Sequence, residues 1–272
     1  MSARSAFAFP GAPGGGASDE LTKSPGGPVP RALQEVGIEE RLGQKIPGDV
    51  TFQDPQGRPV RLADRLGRGK PIVLTLVYYD CPMLCGQLLG GLTAGLRETG
   101  LLLGRDYEAL TVSFNPRETS ALASARQGHF LQALGRPEAR EAWPFLVGQP
   151  QDIDRLAESV GFRYRWDAGT RQYAHVALAF VVAPDGTISR YLYGVRFPER
   201  DLRLALVEAG DGKVGTTVDR VLLKCFRWDP ASRRYALFVS TYLRVGGLLV
   251  FLGLSTLLVT LVRRERRRGA GG

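Results

Sequence analysis

The sequence predicts an α/β sandwich built on a mixed sheet of four or five strands, followed by one membrane helix near the C-terminus. Apolar, β-rich runs alternate with helical stretches along residues 33–212, and short turn sequences separate them. Close to the end of the chain, residues 245–262 form the uncharged apolar run "VGGLLVFLGLSTLLVTLV". No internal repeat is visible. The 272 residues are therefore expected to form one domain with extensions.

The N-terminal segment, residues 1–32, is rich in glycine, proline, alanine and serine and is expected to be a flexible leader. It contains no apolar core of about 7–15 residues, so it does not resemble a signal peptide. Either the true start of the protein lies upstream, or export depends on the C-terminal helix.

The first half of the predicted domain alternates strands and helices. The turn sequence DPQG at 54–57 predicts a hairpin between two short strands. The runs "PIVLTLVYY" at 71–79 and "YEALTVSF" at 107–114 are typical of buried central strands. Helices are predicted after each of these strands, at about 86–103 and 117–134.

The second half adds one helix, three strands and a closing helix. The helix at 152–161 ends at a glycine, and strands are predicted at 162–166, 175–183 and 187–194. The last two strands flank the turn sequence PDG, which predicts a hairpin. A helix at 198–209 closes the domain.

The C-terminal apolar segment is predicted to be a transmembrane helix over residues 241–263. With its apolar flank it is long enough to span a bilayer core of about 30 Å. The alternative, a buried core helix, would normally have a polar face. Five arginines lie in 263–268, so the C-terminus is expected in the cytoplasm and the main domain on the outer, periplasmic face. Residues 213–240 then connect the domain to the membrane, and residues 264–272 form a basic cytoplasmic tail.

Composition excludes several classes of protein. An apolar content of 44% excludes a disordered chain, and three cysteines are too few for a disulfide-stapled scaffold. The formal charge of +9 is concentrated in the C-terminal tail and is otherwise spread thinly, without a basic and aromatic stripe. Membrane lipid is therefore the expected partner of this charge, and nucleic acid is not.

The sequence "YDCPMLCG" places Cys81 and Cys85 directly behind the strand predicted at 71–79. Pro82 suits the first position of a helix, so both sulfurs are expected on one side of the first helical turn. The free amides and the helix dipole at that point favour a thiolate, which is both a nucleophile and a metal ligand. A redox pair, a metal site and a pair of small buried side chains all remain open.

A third group is needed to separate these alternatives, and the chain has two histidines. His175 lies at the start of a predicted strand that can meet the cysteine turn at one rim of the sheet, as a ligand or as an incidental strand residue. His129 is expected on a helix, as a surface or packing residue. Asp80 is a possible carboxylate neighbour, although a cap is more typical there. Cys225 is expected to be a lone packed thiol, with an intermolecular disulfide as the alternative.

Three motifs in order are similar to those of the Sco/SenC family of copper-binding thioredoxin-fold proteins. They are "LTLVYYDCPMLC", "LTVSFNPRET" and "QYAHVALAFVVAPDGTISRYLYG", and the resemblance extends over about residues 38–210. It implies a thioredoxin-like sandwich with Cys81, Cys85 and His175 as copper ligands. It also implies delivery of copper to the binuclear site of cytochrome c oxidase subunit II, or reduction of the thiols of that site. The expected partners are subunit II or its assembly factors.

The chemistry of the implied ligands agrees with copper. Two thiolates and an imidazole suit Cu(I) in trigonal geometry, and Cu(II) if a weak axial group joins, whereas structural zinc requires a fourth strong ligand. The alternative function is a thiol-disulfide oxidoreductase in which Cys81 and Cys85 are a redox-active pair and His175 is not needed. The chain departs from the family at Asn115, where an aspartate is common, and in its C-terminal rather than N-terminal membrane helix.

Overall fold

A seven-stranded mixed sheet forms the centre of the described part of the chain. The computed structural model describes residues 36–210, 226–229, 234–237, 250–253 and 256. The helices are α1 (Leu84–Glu98), α2 (Ser120–Leu134), α3 (Pro150–Ser159) and α4 (Glu199–Ala209). The strands are β1 (Gly37–Ile38), β2 (Thr51–Gln53), β3 (Pro59–Arg61), β4 (Ile72–Val77), β5 (Glu108–Ser113), β6 (Phe145–Gly148), β7 (Phe162–Arg163), β8 (Arg165–Asp167), β9 (Gln172–Ala174), β10 (Leu178–Val182), β11 (Ile188–Tyr193), β12 (Phe226–Asp229) and β13 (Arg234–Leu237).

The strands of the central sheet follow the order β11-β10-β4-β5-β6-β2-β3. Strands β4, β5 and β6 are parallel, and the other neighbours in the sheet are antiparallel. Every residue of β4 and β5 is buried, as expected for central parallel strands covered on both faces. Helix α1 contacts α2 and α4, while α3 contacts β7. This is the predicted α/β sandwich with a mixed sheet.

The sheet is wider than the four or five strands predicted. The additional strand β6 lies between β5 and the hairpin of β2 and β3, and it joins that hairpin to the parallel strands. Its four residues are too few to show a periodic pattern in sequence. The packing between β6 and β2 is close, because a Cβ atom added to Gly148 would lie 2.5 Å from the Phe52 ring.

Two element boundaries near the cysteines and the histidine differ from their predictions. Pro82 is not the first helical residue, since α1 begins at Leu84 and Met83 has the non-helical angles φ −144° and ψ −69°. The strand predicted from His175 begins at Leu178 instead. The chain must bend before Leu178 because β9 pairs with β8 in a separate two-stranded hairpin.

The register of the parallel strands determines where the site lies. Val77, the last residue of β4, is opposite Ser113, the last residue of β5. The loops that follow these strands therefore start side by side at the same edge of the sheet. Behind them the core is closely packed around Trp143, whose indole nitrogen donates a 2.9 Å hydrogen bond to Thr111 Oγ1.

Among the described residues, no helix is long and apolar enough to cross a membrane. Residues 250–253 and 256 are helical, but the rest of the predicted span at 241–263 lies outside the described residues. The predicted leader, Cys225 and the basic tail at 264–272 lie outside them too.

Candidate metal centre

The two cysteines and the histidine singled out in the sequence lie together at the edge of the sheet. Cys81 belongs to the loop between β4 and α1, Cys85 lies in the first turn of α1, and His175 lies between β9 and β10. The sulfur of Cys85 is 3.4 Å from His175 Nε2. One ligand atom from each of the three residues lies within 4.8 Å of the others. Cys85 is buried, and the other two are half-buried.

The sulfur of Cys81 caps the helix that carries Cys85. The backbone N–H of Cys85, one of the free amides in the first turn, donates a 3.3 Å hydrogen bond to Cys81 Sγ. Hydrogen bonds from the Cys85 thiol, and then from this amide and the Tyr78 hydroxyl, lower the pKa of Cys81 to about 3, against the opposing effect of burial. The pKa of Cys85 is raised, because its thiol donates to Cys81 and because it is buried. The pair therefore shares one proton, with the thiolate on Cys81.

The imidazole of His175 is oriented by the backbone. Its Nδ1 lies 3.1 Å from the carbonyl oxygen of Val176. A carbonyl oxygen only accepts hydrogen bonds, so Nδ1 carries the proton and the lone pair of Nε2 faces Cys85. The edges of two aromatic rings hold the imidazole plane, with ring centroids 5.2 Å away for Phe114 and 5.9 Å away for Tyr78.

The donor set fits a copper ion. Two sulfurs and one unprotonated imidazole nitrogen are soft and borderline ligands, which suit Cu(I) in three-coordinate geometry. A Zn²⁺ ion would require a fourth strong ligand, and the described residues add no further histidine, cysteine or carboxylate to the cluster. Burial raises the pKa of Tyr78, so the hydroxyl beside Cys81 stays protonated and can donate to the sulfur. The Cys81–Cys85–His175 cluster is therefore compatible with copper binding.

The loop that carries Cys81 is held by Glu118, a residue that the sequence did not single out. Glu118 Oε2 accepts a 2.8 Å hydrogen bond from the backbone N–H of Tyr79, and Oε1 accepts one of 2.8 Å from that of Asp80. Ser113 Oγ donates to Glu118 Oε2 at 2.6 Å. In sequence, Glu118 is only an acidic residue at the start of a predicted helix, so its role depends on the loops after β4 and β5 lying side by side.

Replacing Glu118 is expected to loosen the metal centre. In Glu118→Gln, an amide nitrogen replaces one acceptor oxygen, so one loop N–H loses its partner. We expect copper affinity to fall by about tenfold, as for outer-shell partners of metal ligands, with a shifted thiolate-to-Cu(II) absorption band. The Glu118→Asp variant keeps the carboxylate and should recover part of the affinity. The exposed Glu158 supplies the control, Glu158→Gln. An unchanged band and affinity in Glu118→Gln would show that the carboxylate does not position Cys81.

The other candidate residues lie outside the cluster. Asp80 is exposed, and its role in the loop is the backbone hydrogen bond to Glu118. His129 is exposed on α2, with its ring 4.9 Å from that of Phe130, as expected of a surface or packing residue. Asn115 uses its side-chain oxygen to accept hydrogen bonds from the Arg117 amide at 3.2 Å and the Tyr173 hydroxyl at 3.4 Å.

The chain is similar in sequence and fold to known proteins. The SCO1/SenC family model matches residues 38–203. A protein of Aquifex aeolicus VF5 described as an electron-transfer protein is 25% identical, with a TM-score of 0.55 over 62% of this chain and 94% of that one. BsSco, described as a member of the Sco family of cytochrome c oxidase assembly proteins with a disulfide switch, is 20% identical, with a TM-score of 0.50 over 64% of this chain and 97% of that one.

A copper-bound structure is also among the similar proteins. It is Arabidopsis thaliana ScoI, which is 19% identical, with a TM-score of 0.49 over 62% of this chain and 98% of that one. No curated protein sequence gives a significant match. The similarity to BsSco confirms the predicted thioredoxin-like fold with a mixed sheet.

Proposed function

Because this chain belongs to the SCO1/SenC family, we propose that it is a copper metallochaperone that delivers copper to the binuclear site of cytochrome c oxidase during assembly. The observation that carries the proposal is the cluster of two thiols and one imidazole within 4.8 Å. Copper is the cargo of this cluster, and subunit II of the oxidase, or one of its assembly factors, receives it.

Transfer proceeds by ligand exchange, without a change in the oxidation state of the metal. Cys81 is the more exposed of the two sulfurs, so an incoming thiolate reaches the metal on that side. His175 belongs to neither neighbouring strand, so it can leave the metal without breaking a strand pair. Each bond that the acceptor forms replaces one bond to this protein, and no intermediate with free copper is needed.

Copper loading of the purified full chain in detergent tests the proposal. With both thiols reduced, we expect one Cu(I) per chain by metal analysis, because the cluster supplies one set of three soft ligands. After oxidation of the pair to a disulfide, no copper should bind. The loaded protein should then transfer its copper to the reduced, copper-free soluble domain of subunit II. Absence of binding to the reduced protein would overturn the proposal.

The second candidate is a thiol-disulfide oxidoreductase, favoured by the lowered pKa of Cys81 at about 3. The Cys81 thiolate would attack a target disulfide, forming a mixed disulfide and releasing one target thiolate. The Cys85 sulfur would then attack Cys81, releasing the second target thiolate and leaving a disulfide between the two cysteines. Two electrons pass to the target, and an external dithiol must reduce the pair before the next cycle. The two activities are compatible, since the pair must be reduced before it binds copper.

We also propose that the chain is anchored in the cell membrane by residues 241–263, with the domain at 33–212 on the periplasmic face and the C-terminus in the cytoplasm. The support is the uncharged apolar run and the arginines after it. In membranes washed at alkaline pH, the protein should stay in the pellet. Protease added to the periplasmic face should digest the domain and leave a C-terminal epitope intact. Release into the alkaline wash would contradict the anchor.

A further inference from the structure

A groove lies beside the metal centre, between the loop that carries Cys81 and the hairpin of β8 and β9. We call it the site groove, and its lining includes Tyr78, Asp80, Pro82, Arg117, Trp166 and Arg171. Tyr78 connects it to the metal centre, because its ring lies 5.9 Å from that of His175. A molecule in this groove therefore lies beside the loop that carries Cys81.

One exposed hydrophobic side chain lines the groove, and another lies in the adjacent cysteine loop. Within residues 36–210, the exposed large hydrophobic side chains are Leu42, Met83 and Trp166, and two of the three border the cysteine loop or the site groove. Met83, between the two cysteines, is 67% exposed, and Trp166 is 41% exposed. Tryptophan, tyrosine, methionine and arginine are the residue types enriched where proteins bind one another. This composition indicates a surface that a partner covers.

The charges of the groove favour an acidic occupant. The guanidinium of Arg117 lies 5.3 Å from the centre of the Trp166 ring. Arg171 has φ 54°, in the left-handed region that residues other than glycine rarely adopt. Both arginines are exposed, and neither has an acidic partner within 4.0 Å among the described residues. Asp80 is the single acidic residue that lines the groove. Two guanidinium groups against one carboxylate attract an anionic segment, which they can bind through paired hydrogen bonds.

The position of the groove indicates which chemical groups the bound segment contains. Copper exchange requires a ligand from the partner to reach the metal, and the half-buried Cys81 lies in the chain between Asp80 and Pro82, which both line the groove. A polypeptide with a cysteine next to acidic residues would place its carboxylates against the arginines and its thiol near Cys81. Resting on the function proposed above, we propose that the site groove binds an acidic, cysteine-containing segment of the protein with which this chain exchanges copper.

Binding of a short fluorescent peptide to the full chain in detergent tests this proposal. The probe carries one cysteine flanked by aspartates and glutamates, with reductant present, and a second probe has lysines at the acidic positions. The variants Arg117→Glu and Arg171→Glu should each weaken binding of the acidic probe by about tenfold, because each replaces an attraction with a repulsion. Trp166→Ala should weaken it as well. The control is Arg97→Glu, since Arg97 is exposed on α1 and does not line the site groove.

Several outcomes would contradict the proposed role of the site groove. Equal losses in Arg97→Glu would show only a general effect of charge, and equally tight binding of the lysine probe would exclude an acidic occupant. Competition by a short oligonucleotide that depends on Arg117 would assign the groove to nucleic acid instead. Copper content is measured in parallel on the same variants. If the wild-type chain binds the acidic probe but no copper, the proposed function is wrong, while the proposal that the site groove binds an acidic segment is retained. If copper binds normally and Arg117→Glu leaves probe binding unchanged, only the proposed role of the site groove is wrong.

Discussion

Removing the His175 imidazole should abolish stoichiometric copper binding while leaving thiol chemistry intact. In His175→Ala the two sulfurs remain, but Cu(I) loses the Nε2 lone pair that faces Cys85. We expect affinity to fall by at least about 100-fold, since loss even of outer-shell partners costs 10–100-fold. Cys81→Ser and Cys85→Ser should abolish copper binding as well. Copper competition with a Cu(I) chelator measures the affinities, and insulin reduction measures the thiol activity.

The insulin assay separates the two candidate functions. Cys81→Ser should lose any disulfide reduction that the wild-type chain shows, because Cys81 carries the thiolate. His175→Ala should retain it, because thiol-disulfide exchange requires no imidazole ligand. The matched control is His129→Ala, which removes an exposed histidine on α2. Retention of one tightly bound copper in His175→Ala would overturn the three-ligand site, and retention in Cys85→Ser would overturn the role of the pair.

Adding a methyl group to Gly91 should strongly destabilise the protein, whereas the same change at the neighbouring Gly90 should not. A Cβ atom on Gly91 would lie 1.9 Å from the carbonyl oxygen of Val195, a backbone atom that no side-chain rotation can move. Gly91→Ala must therefore separate α1 from the chain at Val195. We expect a loss of about 3 kcal/mol in the free energy of unfolding, at the upper end for overpacked sites.

Gly90 is the matched control in the same helix. A Cβ atom there would have no atom within 4 Å apart from its chain neighbours and the backbone of its own helix, and the residue is exposed. Gly90→Ala should stabilise the protein by roughly 0.5–1 kcal/mol, because alanine is the better helix former. Urea unfolding of both variants gives the comparison. Equal effects at the two positions would contradict the close approach of α1 to Val195. Because α1 carries Cys85, Gly91→Ala should also weaken copper binding, whereas Gly90→Ala should not.

Several features of this protein follow from local sequence pattern alone. The continuous apolar run before Cys81 predicts a central strand, and β4 is a central strand, paired along both edges and buried at every residue. The motif that follows predicts two thiols at a strand-to-helix junction, which is where Cys81 and Cys85 lie. The family resemblance then supplied His175. Element type and the two candidate thiol ligands were therefore accessible from residues close together in sequence, whereas His175 required motifs spread over about residues 38–210.

The way in which distant segments meet depends on tertiary packing. The approach of His175 to Cys85, at 3.4 Å, depends on the bend after β9, which no local propensity specifies. Glu118 holds the cysteine loop because β4 and β5 end in register, and Gly91 must be a glycine because Val195 packs against it. In sequence, Gly90 and Gly91 are equivalent helix-weakening residues. They differ because close packing acts between elements far apart along the chain. A local sequence pattern does not show which distant residues pack against a given position.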